Sequence, residues 1–505
     1  MFKKGGMRWQ KRWFELHSAA KEGEKPLLKY FKERGDDEVR GELPLDTHTT
    51  VANLASKTGG FQIICTGGRA MKVAADSDDE ARLWKAQINQ AIREASSIHA
   101  VTVGGQVYEI DRRYVPKRRI GSGAYGTVIS AVDEQSGNQV AIKKVKDAFD
   151  DLIDAKRILR EVRLMRAFSH PNILGLYDLI RPSSLEHFED VYIISEKKSS
   201  DMQRIIFSDT PLSEDQQQWI MYQCLCGIKY MHSAGVLHRD LKPSNLLVDT
   251  ETCDVQICDF GLSRSVGFLF LLICFCVYCE LIYPFYILFS NWYNRGDITE
   301  EEGEKKEQTE YVVTRWYRAP EIMLGYSTYD YAIDVWSLGC IFGEILGREA
   351  LLPGGDYIEQ LKLIVNLVGS PTEGDLWYVS NRNARDFMMR LPKTNGQDFK
   401  VKFPSASDDA IDLLGKMLTM DPAKRLRVDE AITHQYQLPV REAERLEFNA
   451  REHTEVSDIE SMELTKENLQ RMLFEEIRLF HEERGAVQQV PSGLAQPSGM
   501  SLSER

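Results

Sequence analysis

The sequence predicts an α+β protein in which a small β-sandwich precedes a larger domain of strands and helices. Two observations lead to this prediction. The first hundred residues contain short alternating strands followed by one amphipathic helix. Between residues 121 and 261 the chain then carries five glycine-, lysine- and carboxylate-containing motifs in a fixed order. With 505 residues, of which 43% are hydrophobic, the chain is long enough to bury two cores.

The leading segment has a pattern of its own. Four short stretches alternate apolar with polar residues, as half-buried strands do: residues 9–16, 28–32, 61–63 and 69–73. An amphipathic helix over 79–88 follows, with Trp84 on its apolar face. This pattern resembles a pleckstrin homology domain. The resemblance implies a small pleckstrin homology β-sandwich capped by a C-terminal helix.

The first fourteen residues contain no acid and five bases: Lys3, Lys4, Arg8, Lys11 and Arg12. Clustered cations on a first hairpin suit the phosphates of an inositol lipid headgroup, because Arg and Lys donate strong hydrogen bonds to phosphate oxygens. Gln10 stands where binders specific for such headgroups often carry a further base. A solvated basic hairpin is the alternative, so binding to a phosphoinositide membrane surface stays open at this point.

The second region begins with three glycines at G-x-G-x-x-G spacing: Gly121, Gly123 and Gly126. Dinucleotide-binding folds use the same spacing, but there it opens a helix. Here β-like runs precede and follow the glycines, over 114–120 and 128–131. The sequence therefore predicts a hairpin, with a third strand at 140–143, whose glycines let backbone N–H groups approach phosphates.

Four further motifs follow in order: a Val-Ala-Ile-Lys run ending at Lys143, Glu161 in a helical stretch, His-Arg-Asp-Leu-Lys-Pro-Ser-Asn over 238–245, and Asp-Phe-Gly over 259–261. With the glycine stretch they resemble a eukaryotic protein kinase. The resemblance implies a bilobal protein kinase fold that moves a phosphoryl group from ATP with the help of Mg²⁺. Lys242 in the Asp-Leu-Lys-Pro motif implies serine or threonine substrates.

The resemblance also implies a role for each residue. Asp240 is the base or orienter for the substrate hydroxyl, with Lys242 beside it. Lys143 grips the α- and β-phosphates, and Glu161 holds that lysine by an ion pair. Asn245 and Asp259 supply the Mg²⁺ ligands. The remaining ATP contacts fall on the glycine hairpin, on Lys143 and on one ribose-binding acid: Ile120, Gly121, Ser122, Gly123, Ala124, Tyr125, Gly126, Thr127, Val128 and Asp201.

A second constellation narrows the family. Thr309, Glu310 and Tyr311 precede Val-Val-Thr-Arg-Trp-Tyr-Arg-Ala-Pro-Glu, and the run resembles the activation segment of a mitogen-activated protein (MAP) kinase of the Thr-Glu-Tyr, extracellular-signal-regulated type. Phosphates added to Thr309 and Tyr311 by an upstream dual-specificity MAP kinase kinase would order the segment through nearby arginines. The candidate phosphate-capturing residues are Arg239, Arg315 and Arg318. The resemblance further implies phosphatases as partners and protein substrates with Ser/Thr-Pro sites.

The C-terminal part supports the same resemblance. Asp334 matches the aspartate that braces the catalytic loop, and Arg425 matches the arginine that pairs with Glu321. Residues 462–477 resemble the MAP kinase extension that folds back onto the small lobe as an amphipathic helix. The expected domains are a pleckstrin homology domain at 1–95, a linker at 96–110, a kinase domain at 111–440, the extension at 441–484 and a disordered tail at 485–505.

Residues 267–295 form an anomalous apolar insert in the activation segment. Residues 268–289 are long enough to cross a bilayer, but a single crossing would leave Asp259 and Glu321 on opposite sides. A genuine insertion would expose much apolar surface. The alternative is a retained in-frame intron, whose removal shortens the stretch from Asp259 to Glu321 from 63 residues to 34. That length suits the family better, so the sequence favours the intron.

Composition bounds the remaining possibilities. The formal net charge of −13 disfavours nucleic acid as a partner, and the nine cysteines show no convincing metal spacing. No secretory signal is present, so we expect a cytoplasmic protein, with the nucleus and the peripheral membrane also open and an integral membrane protein excluded.

The alternative function is a catalytically silent lipid-binding scaffold, a pseudokinase disabled by the insert. The intact Lys143, Asp240, Asn245 and Asp259 argue against it.

Overall fold

The computed structural model describes residues 2–5, 8–17, 26–36, 38–45, 49–54, 58–65, 70–94, 98–123, 126–182, 185, 188–265, 315–326 and 330–488. The chain divides into two compact units. The first unit comprises Met1–Ala155, Leu176–Lys197 and Glu463–Arg505. The second unit comprises Lys156–Gly175 and Lys198–Met462.

The leading segment of the first unit consists of short strands and one helix: β1 (Phe2–Gly5), β2 (Arg8–Lys11), β3 (Trp13–His17), β4 (Leu27–Phe31), β5 (Gly41–Pro44), β6 (Thr50–Asn53), β7 (Gly60–Ile64), β8 (Ala70–Ala74) and α1 (Asp78–Glu94). The strands form two antiparallel sheets, in the orders β2-β1-β8-β7-β6 and β3-β4-β5. Phe14 and Leu28 from one sheet share a buried cluster with Phe61 from the other. Ala81 and Ile88 of α1 belong to the same cluster.

Two predicted bounds differ from the structure. The run at 9–16 is not one strand, because it breaks at Arg12 and its halves, β2 and β3, enter different sheets. The helix predicted over 79–88 extends to Glu94, since Ile88 and Ala91 continue its buried face.

The predicted linker at 96–110 is wrong. Residues 98–111 form an antiparallel hairpin of β9 (Ile98–Val103) and β10 (Gln106–Asp111). Gly104 and Gly105 have φ angles of 57° and 81°, which two-residue hairpin turns require and glycine adopts at little cost. Tyr108 and Ile110 are fully buried in the core of the sheet that follows. This hairpin is therefore part of the lobe that it precedes.

That sheet contains the predicted glycine hairpin and third strand. Its elements are β11 (Tyr114–Gly123), β12 (Gly126–Asp133), β13 (Gln139–Val145), β14 (Leu176–Leu179) and β15 (Val191–Glu196), with the helix α2 (Leu152–Ala167) between β13 and β14. The strand order is β11-β12-β13-β15-β14, and every neighbouring pair is antiparallel.

The second unit is mainly helical. Its described part contains five short strands: β16 (Ser200–Asp201), β17 (Val236–Leu237), β18 (Leu246–Val248), β19 (Val255–Ile257) and β20 (Arg264–Ser265). Its helices are α3 (Met202–Ile206), α4 (Glu214–Ser233), α5 (Pro320–Met323), α6 (Ala332–Gly347), α7 (Tyr357–Val368), α8 (Arg382–Arg390), α9 (Phe399–Lys402), α10 (Asp408–Met417), α11 (Val428–Ile432), α12 (Leu438–Ala443) and α13 (Ser457–Ser461). Three 3₁₀ turns are described at Pro243–Asn245, Gly374–Leu376 and Gln435–Gln437. The long helices α4 and α6 pack together and supply much of the core.

A final helix, α14 (Lys466–Gln488), belongs to the first unit. Gln470 donates a side-chain hydrogen bond of 2.9 Å to the carbonyl of Phe188, and the rings of Phe474 and Phe188 meet edge-on with centroids 6.2 Å apart. His481 lies 2.8 Å from the carbonyl of Leu179. The helix thus packs beside β14 and β15 through its apolar face, whereas α13, which precedes it, lies in the second unit.

Within the described ranges, no helix is both long enough and apolar enough to cross a membrane. The apolar insert at 267–295 lies outside those ranges.

Candidate active site

A buried carboxylate holds the catalytic loop, residues 238–245, which connects β17 to β18. Asp334 of α6 accepts hydrogen bonds of 2.9 Å from the backbone N–H groups of His238 and Arg239. Its Oδ2 also lies 2.9 Å from Nε2 of His232. Burial by itself raises the pKa of Asp334, but the hydrogen bonds and nearby charge of His232 and the other groups outweigh it and lower that pKa. The predicted bracing role of Asp334 is confirmed.

The two carboxylate oxygens of Asp240 have different surroundings. Oδ2 accepts hydrogen bonds from Nζ of Lys242 at 2.8 Å and from Nδ2 of Asn245 at 3.3 Å. Oδ1 is buried and has no hydrogen-bond partner in the described part of the chain. Leaving a buried acceptor unpaired costs free energy, and an acceptor held in that state can take a hydrogen bond or a proton from a substrate hydroxyl.

The structure brings Asn245 and Asp259 to the same end of a hairpin. In the β18–β19 ladder Leu246 pairs with Ile257, and the N–H of Cys258 donates to the carbonyl of Asn245 at 2.9 Å. The side-chain Nδ2 of Asn245 donates to the carbonyl of Asp240 at 2.8 Å, so its Oδ1 is the atom left for a cation. An amide oxygen and a carboxylate are hard ligands of the kind that Mg²⁺ takes. The donor set therefore fits this ion.

Two residues of this site adopt the left-handed backbone conformation that is uncommon outside glycine. The φ angle is 70° at Arg239 and 67° at Asp259. Such conformations cost about 1–3 kcal/mol each and persist where surrounding contacts impose them. The hydrogen bond from Arg239 to Asp334 is one such contact.

Phe260 of the Asp-Phe-Gly motif is fully buried. Its ring meets those of Phe168 and His238 edge-on, at centroid distances of 5.7 and 5.8 Å. Edge-to-face aromatic contacts of this kind stabilise by about 0.5–1.5 kcal/mol each. The two contacts place Phe260 between Phe168, which directly follows α2, and His238 of the catalytic loop.

In the first unit, the glycine hairpin pairs Gly121 with Val128 and Gly123 with Gly126. A Cβ at Gly126 would collide with the carbonyl oxygen of Lys144, so the strand itself requires glycine there. A Cβ at Gly123 would meet no atom of the described residues within 4 Å. Open space at Gly123 is consistent with a ligand approaching its backbone.

The side chains of the other residues predicted to contact ATP on this hairpin differ in burial. Thr127 is buried, and its hydroxyl is hydrogen-bonded to Tyr108 at 2.7 Å and to Gln106 at 2.5 Å, so its side chain serves the hairpin of β9 and β10. Ile120 and Val128 are half-buried and Ser122 is exposed, whereas Ala124 and Tyr125 lie outside the described residues.

Lys143 and Glu161 belong to different units. Lys143 is half-buried in β13, where it pairs with Val128 and Ile193. Glu161 lies in α2 and is 8% exposed. An ion pair between them remains a prediction.

Asp201 has a structural role that the sequence reasoning missed. It is the N-cap of α3, with Oδ1 accepting a hydrogen bond of 2.9 Å from the N–H of Arg204. Asp at an N-cap followed by an apolar helix is the signal that could have shown it. Ribose contact by this residue also remains a prediction.

The end of the activation segment is fixed by a buried ion pair. Arg425 donates two hydrogen bonds to Glu321, at 2.6 and 2.9 Å, and both side chains are at most 1% exposed. The predicted pairing is confirmed.

Comparisons with known proteins agree with this geometry. The family description "Protein kinase domain" matches residues 114–268 and 297–437, and "PH domain" matches residues 1–93. The mitogen-activated protein kinase homolog MMK2 of Medicago sativa is 42% identical over 373 residues, which cover 74% of this chain and 90% of that protein. The chain belongs to the MAP kinase family.

Other members of the family are 42–47% identical to the chain. Mitogen-activated protein kinase 6 of Oryza sativa subsp. japonica is 47% identical over 335 residues, covering 66% of this chain and 79% of the relative. Extracellular signal-regulated kinase 1 of Dictyostelium discoideum is 42% identical over 381 residues, which cover 75% of this chain and 65% of the relative. This MAP kinase is a protein serine/threonine kinase that carries a PH domain.

Thr309 and Tyr311 of this MAP kinase lie outside the described residues. The three predicted phosphate-capturing arginines have different neighbours. A guanidinium nitrogen of Arg239 donates to the carbonyl of Leu262 at 3.4 Å, and one of Arg315 donates to that of Gly355 at 3.2 Å. The half-buried Arg318 follows Arg315 in the same turn, with its N–H bonded to the carbonyl of Arg315 at 3.2 Å.

The sequence reasoning missed a second group of cations in the MAP kinase. Arg160, Arg264 and Lys156 surround the carboxylate of Glu460, which lies in α13. Arg160 is 1% exposed. The repeat of bases at 157, 160 and 163 in α2 was the available signal, because residues three apart share one face of a helix.

The five basic residues of the PH domain have described backbone positions. In the β1–β2 hairpin Lys3 lies opposite Gln10, Gly5 opposite Arg8, and Phe2 opposite Lys11. Lys4 lies opposite Trp9 in the same register. Lys11 is exposed, and Arg12 donates a hydrogen bond of 2.7 Å to the carbonyl of Lys11.

Proposed function

We propose that this MAP kinase transfers the γ-phosphoryl group of ATP to Ser/Thr-Pro sites of proteins after phosphorylation of its own Thr309 and Tyr311. The observation that carries the catalytic part is the carboxylate of Asp240, whose Oδ2 is tied to Lys242 and whose buried Oδ1 is unpaired. In this geometry Oδ1 receives the substrate hydroxyl, and Lys242 provides positive charge beside the transferring group.

ATP and Mg²⁺ are the cofactors that protein kinases use, and the following residues would hold them. Asn245 and Asp259 would hold the metal through their oxygen atoms, and the bound ion would supply positive charge beside the phosphates. Lys143 would bind the α- and β-phosphates, with Glu161 as the proposed partner of its ammonium group. The backbone of the hairpin at 121–126 would cover the phosphates, and Asp201, whose side chain is 22% exposed, would contact the ribose.

The regulatory part follows from the activation segment. A Thr-Glu-Tyr sequence stands shortly before Arg315 and the buried Glu321–Arg425 pair. The pair anchors the end of the segment, so phosphorylation at 309 and 311 orders the part that precedes the anchor. An upstream dual-specificity kinase adds the phosphates and phosphatases remove them. The Thr-Glu-Tyr sequence supports a kinase of the extracellular-signal-regulated type.

The PH domain adds a membrane function to the proposal. Its first hairpin contains Lys3, Lys4, Arg8 and Lys11, and Ala81 and Ile88 of α1 share a buried cluster with residues of both sheets. Basic residues near an anionic leaflet contribute about 1 kcal/mol each. Binding to a phosphoinositide surface would raise the local concentration of the kinase near membrane-bound activators. The proposed location is the cytoplasm, with the nucleus and the peripheral membrane as further options.

Residues 267–295 are proposed to be a retained intron. The two stretches that match the kinase family, 114–268 and 297–437, leave out nearly this same segment. Reverse-transcription sequencing across codons 260–315 tests this proposal. A transcript that contains codons 267–295 in every tissue would contradict it and would favour the second candidate function, a lipid-binding scaffold without activity.

The catalytic proposal is tested by Asp240→Asn. The amide cannot act as a base, so we expect the rate of phosphoryl transfer to fall by about 10²–10⁴-fold with the melting temperature nearly unchanged. Asp249→Asn is the matched control, because Asp249 caps the turn after β18 through a hydrogen bond from Glu251 N–H. The proposal is wrong if both variants keep the activity of the parent protein, or if the parent protein has none.

A further inference from the structure

The hairpin of β9 and β10, most of which the sequence had assigned to a linker, is bonded to three neighbouring strands of the sheet that it precedes. On those strands Thr127 of β12 lies opposite Lys144 of β13, and Lys144 lies opposite Tyr192 of β15. Residues that lie directly opposite one another in an antiparallel ladder share a face of the sheet. Thr127, Lys144 and Tyr192 therefore form one row across three strands, which we call the cross-strand row.

The backbone of β10 is bonded to two members of this row. Nζ of Lys144 donates a hydrogen bond of 2.7 Å to the carbonyl of Val107, and it lies 2.7 Å from Oδ2 of Asp190, which balances its charge. The hydroxyl of Tyr192 accepts a hydrogen bond of 3.1 Å from the N–H of Glu109. These contacts hold β10 against the cross-strand row.

The third member, Thr127, is bonded to two side chains of β10. Its hydroxyl donates to Oε1 of Gln106 at 2.5 Å and lies 2.7 Å from the hydroxyl of Tyr108. A threonine hydroxyl has one proton, and that proton goes to Gln106, so Tyr108 is the donor in the second bond. Tyr108 is fully buried and Thr127 is 8% exposed, so water competes little for the bond between them.

Thr127 is also the residue through which β10 reaches the glycine hairpin. It directly follows Gly126, and Gly126 lies opposite Gly123 across the hairpin. The segment 121–126 contains three glycines, which allow the backbone many conformations. A bond at the first residue after these glycines therefore limits the conformations of the segment before a ligand binds.

We propose that Tyr108 and Gln106 are positioning residues for the glycine hairpin, acting through the hydroxyl of Thr127 on the backbone that would cover the phosphates of ATP. Their action is indirect: they restrict the unliganded hairpin, so less conformational entropy is lost when the nucleotide binds. They set the affinity for ATP rather than the rate of transfer, because Asp240 lies in the other unit. This inference rests on the proposed ATP site.

The first experiment measures the affinity of the full-length chain for a non-hydrolysable ATP analogue with Mg²⁺ by calorimetry. Tyr108→Phe removes the donor hydroxyl and keeps the buried ring, whereas Thr127→Val removes the hydroxyl that both partners use. A hydrogen bond of this kind is worth a factor of about 2–10 in an equilibrium constant. We expect the dissociation constant to rise about threefold in Tyr108→Phe and further in Thr127→Val. Thr127→Ser, which keeps the hydroxyl, should bind like the parent.

Tyr177→Phe is the matched control. The hydroxyl of Tyr177 donates a hydrogen bond of 2.6 Å to Asp133, and Asp133 ends the strand β12 that Gly126 begins. The control removes a tyrosine hydroxyl from the far end of this strand, so the variant should bind the analogue as the parent does. Unchanged affinity in Tyr108→Phe, or an equal loss in Tyr108→Phe and Tyr177→Phe, would overturn the proposal.

A double variant locates the effect. In Thr127→Val/Tyr108→Phe the bonding partner of Tyr108 is already gone, so the second substitution should cause no further loss of affinity. Additive losses would mean that Tyr108 acts on the site by another route, and the proposal would be wrong.

The second experiment uses no nucleotide. Amide hydrogen exchange in residues 121–128 is compared between the parent, Tyr108→Phe and Tyr177→Phe. Exchange accelerates in Tyr108→Phe alone if the tyrosine hydroxyl holds the glycine hairpin. Equal exchange in all three proteins overturns the proposal.

Steady-state kinetics separate a positioning role from a catalytic one. In Tyr108→Phe the KM for ATP should rise with the dissociation constant, while kcat stays within about twofold of the parent. A fall in kcat with an unchanged KM contradicts the proposal. If the parent protein transfers no phosphate to a Ser-Pro peptide, the proposed function fails, whereas the binding and exchange experiments still decide whether Tyr108 positions the glycine hairpin.

Discussion

Asp240 shows how much of this site depends on a few single residues. Its position was predictable from the His-Arg-Asp-Leu-Lys-Pro motif, and so was the bracing aspartate, Asp334. The different surroundings of its two carboxylate oxygens were not predictable. They depend on where Lys242 and Asn245 point, which a spacing in the sequence does not specify.

Glu344 is a second residue whose chemistry is visible only in the structure. It is 1% exposed in α6, and it accepts hydrogen bonds from the hydroxyl of Tyr317 at 2.9 Å and from the N–H of Leu351 at 3.1 Å. Burial raises the pKa of Glu344 from 4.5 to about 7, although the two hydrogen bonds act in the opposite direction. Tyr317 directly follows Trp316 in the activation segment, so this carboxyl supports the end of that segment.

The raised pKa of Glu344 predicts a pH-dependent stability. Between pH 4.5 and 7 the folded state binds more protons at this residue than the unfolded state, so the free energy of unfolding falls as the pH rises through this window. The loss is about 3 kcal/mol, since one pKa unit corresponds to about 1.4 kcal/mol. Glu344→Gln is expected to remove this part of the pH dependence, as measured by denaturant unfolding between pH 5 and 8.

The control for Glu344 is Glu349→Gln, which alters a carboxylate that is 70% exposed. This variant should keep the slope of the parent protein. A Glu344→Gln variant with the same slope as the parent would show that Glu344 titrates normally.

At the level of elements, the ion pair between Arg425 and Glu321 joins the loop before α11 to α5. Arg425→Met leaves the buried Glu321 carboxylate without a counter-charge, which costs about 3–5 kcal/mol of unfolding free energy. The double variant Arg425→Met/Glu321→Gln should recover part of this loss, because the uncompensated charge is gone. The measurement is a double-mutant cycle by denaturant unfolding, and additive effects of the two substitutions would contradict the expected coupling.

The elements also show where sequence reasoning succeeds and where it fails. The glycine hairpin with its third strand was predictable, because β-like runs on both sides excluded a helix after the glycines. The hairpin over 98–111 was missed, although Gly104 and Gly105 between alternating runs are a hairpin signal. Arg160 was also missed, because a charged side chain on an exposed-looking helix becomes buried only when a distant segment, here α13, covers it.

At the scale of the whole molecule, the main question is whether residues 267–295 are a retained intron or a genuine part of the kinase. Its deletion restores the shorter activation segment and removes a long run of apolar residues, so the deletion protein is expected to be more soluble and at least as active after phosphorylation as the full chain. Sedimentation and phosphoryl-transfer rates measure the two effects. A deletion protein that is less soluble and inactive would show that the segment belongs to the folded kinase.

The central claim is that this MAP kinase is switched on by phosphates on Thr309 and Tyr311. The most direct measurement is the rate of phosphoryl transfer to a Ser-Pro peptide before and after treatment with a dual-specificity MAP kinase kinase. Thr309→Ala/Tyr311→Phe serves as the variant that cannot be switched. The account predicts a rise of at least about tenfold, equivalent to 1.4 kcal/mol of barrier, in the parent protein and no rise in the variant. An equal rate before and after verified phosphorylation would contradict it.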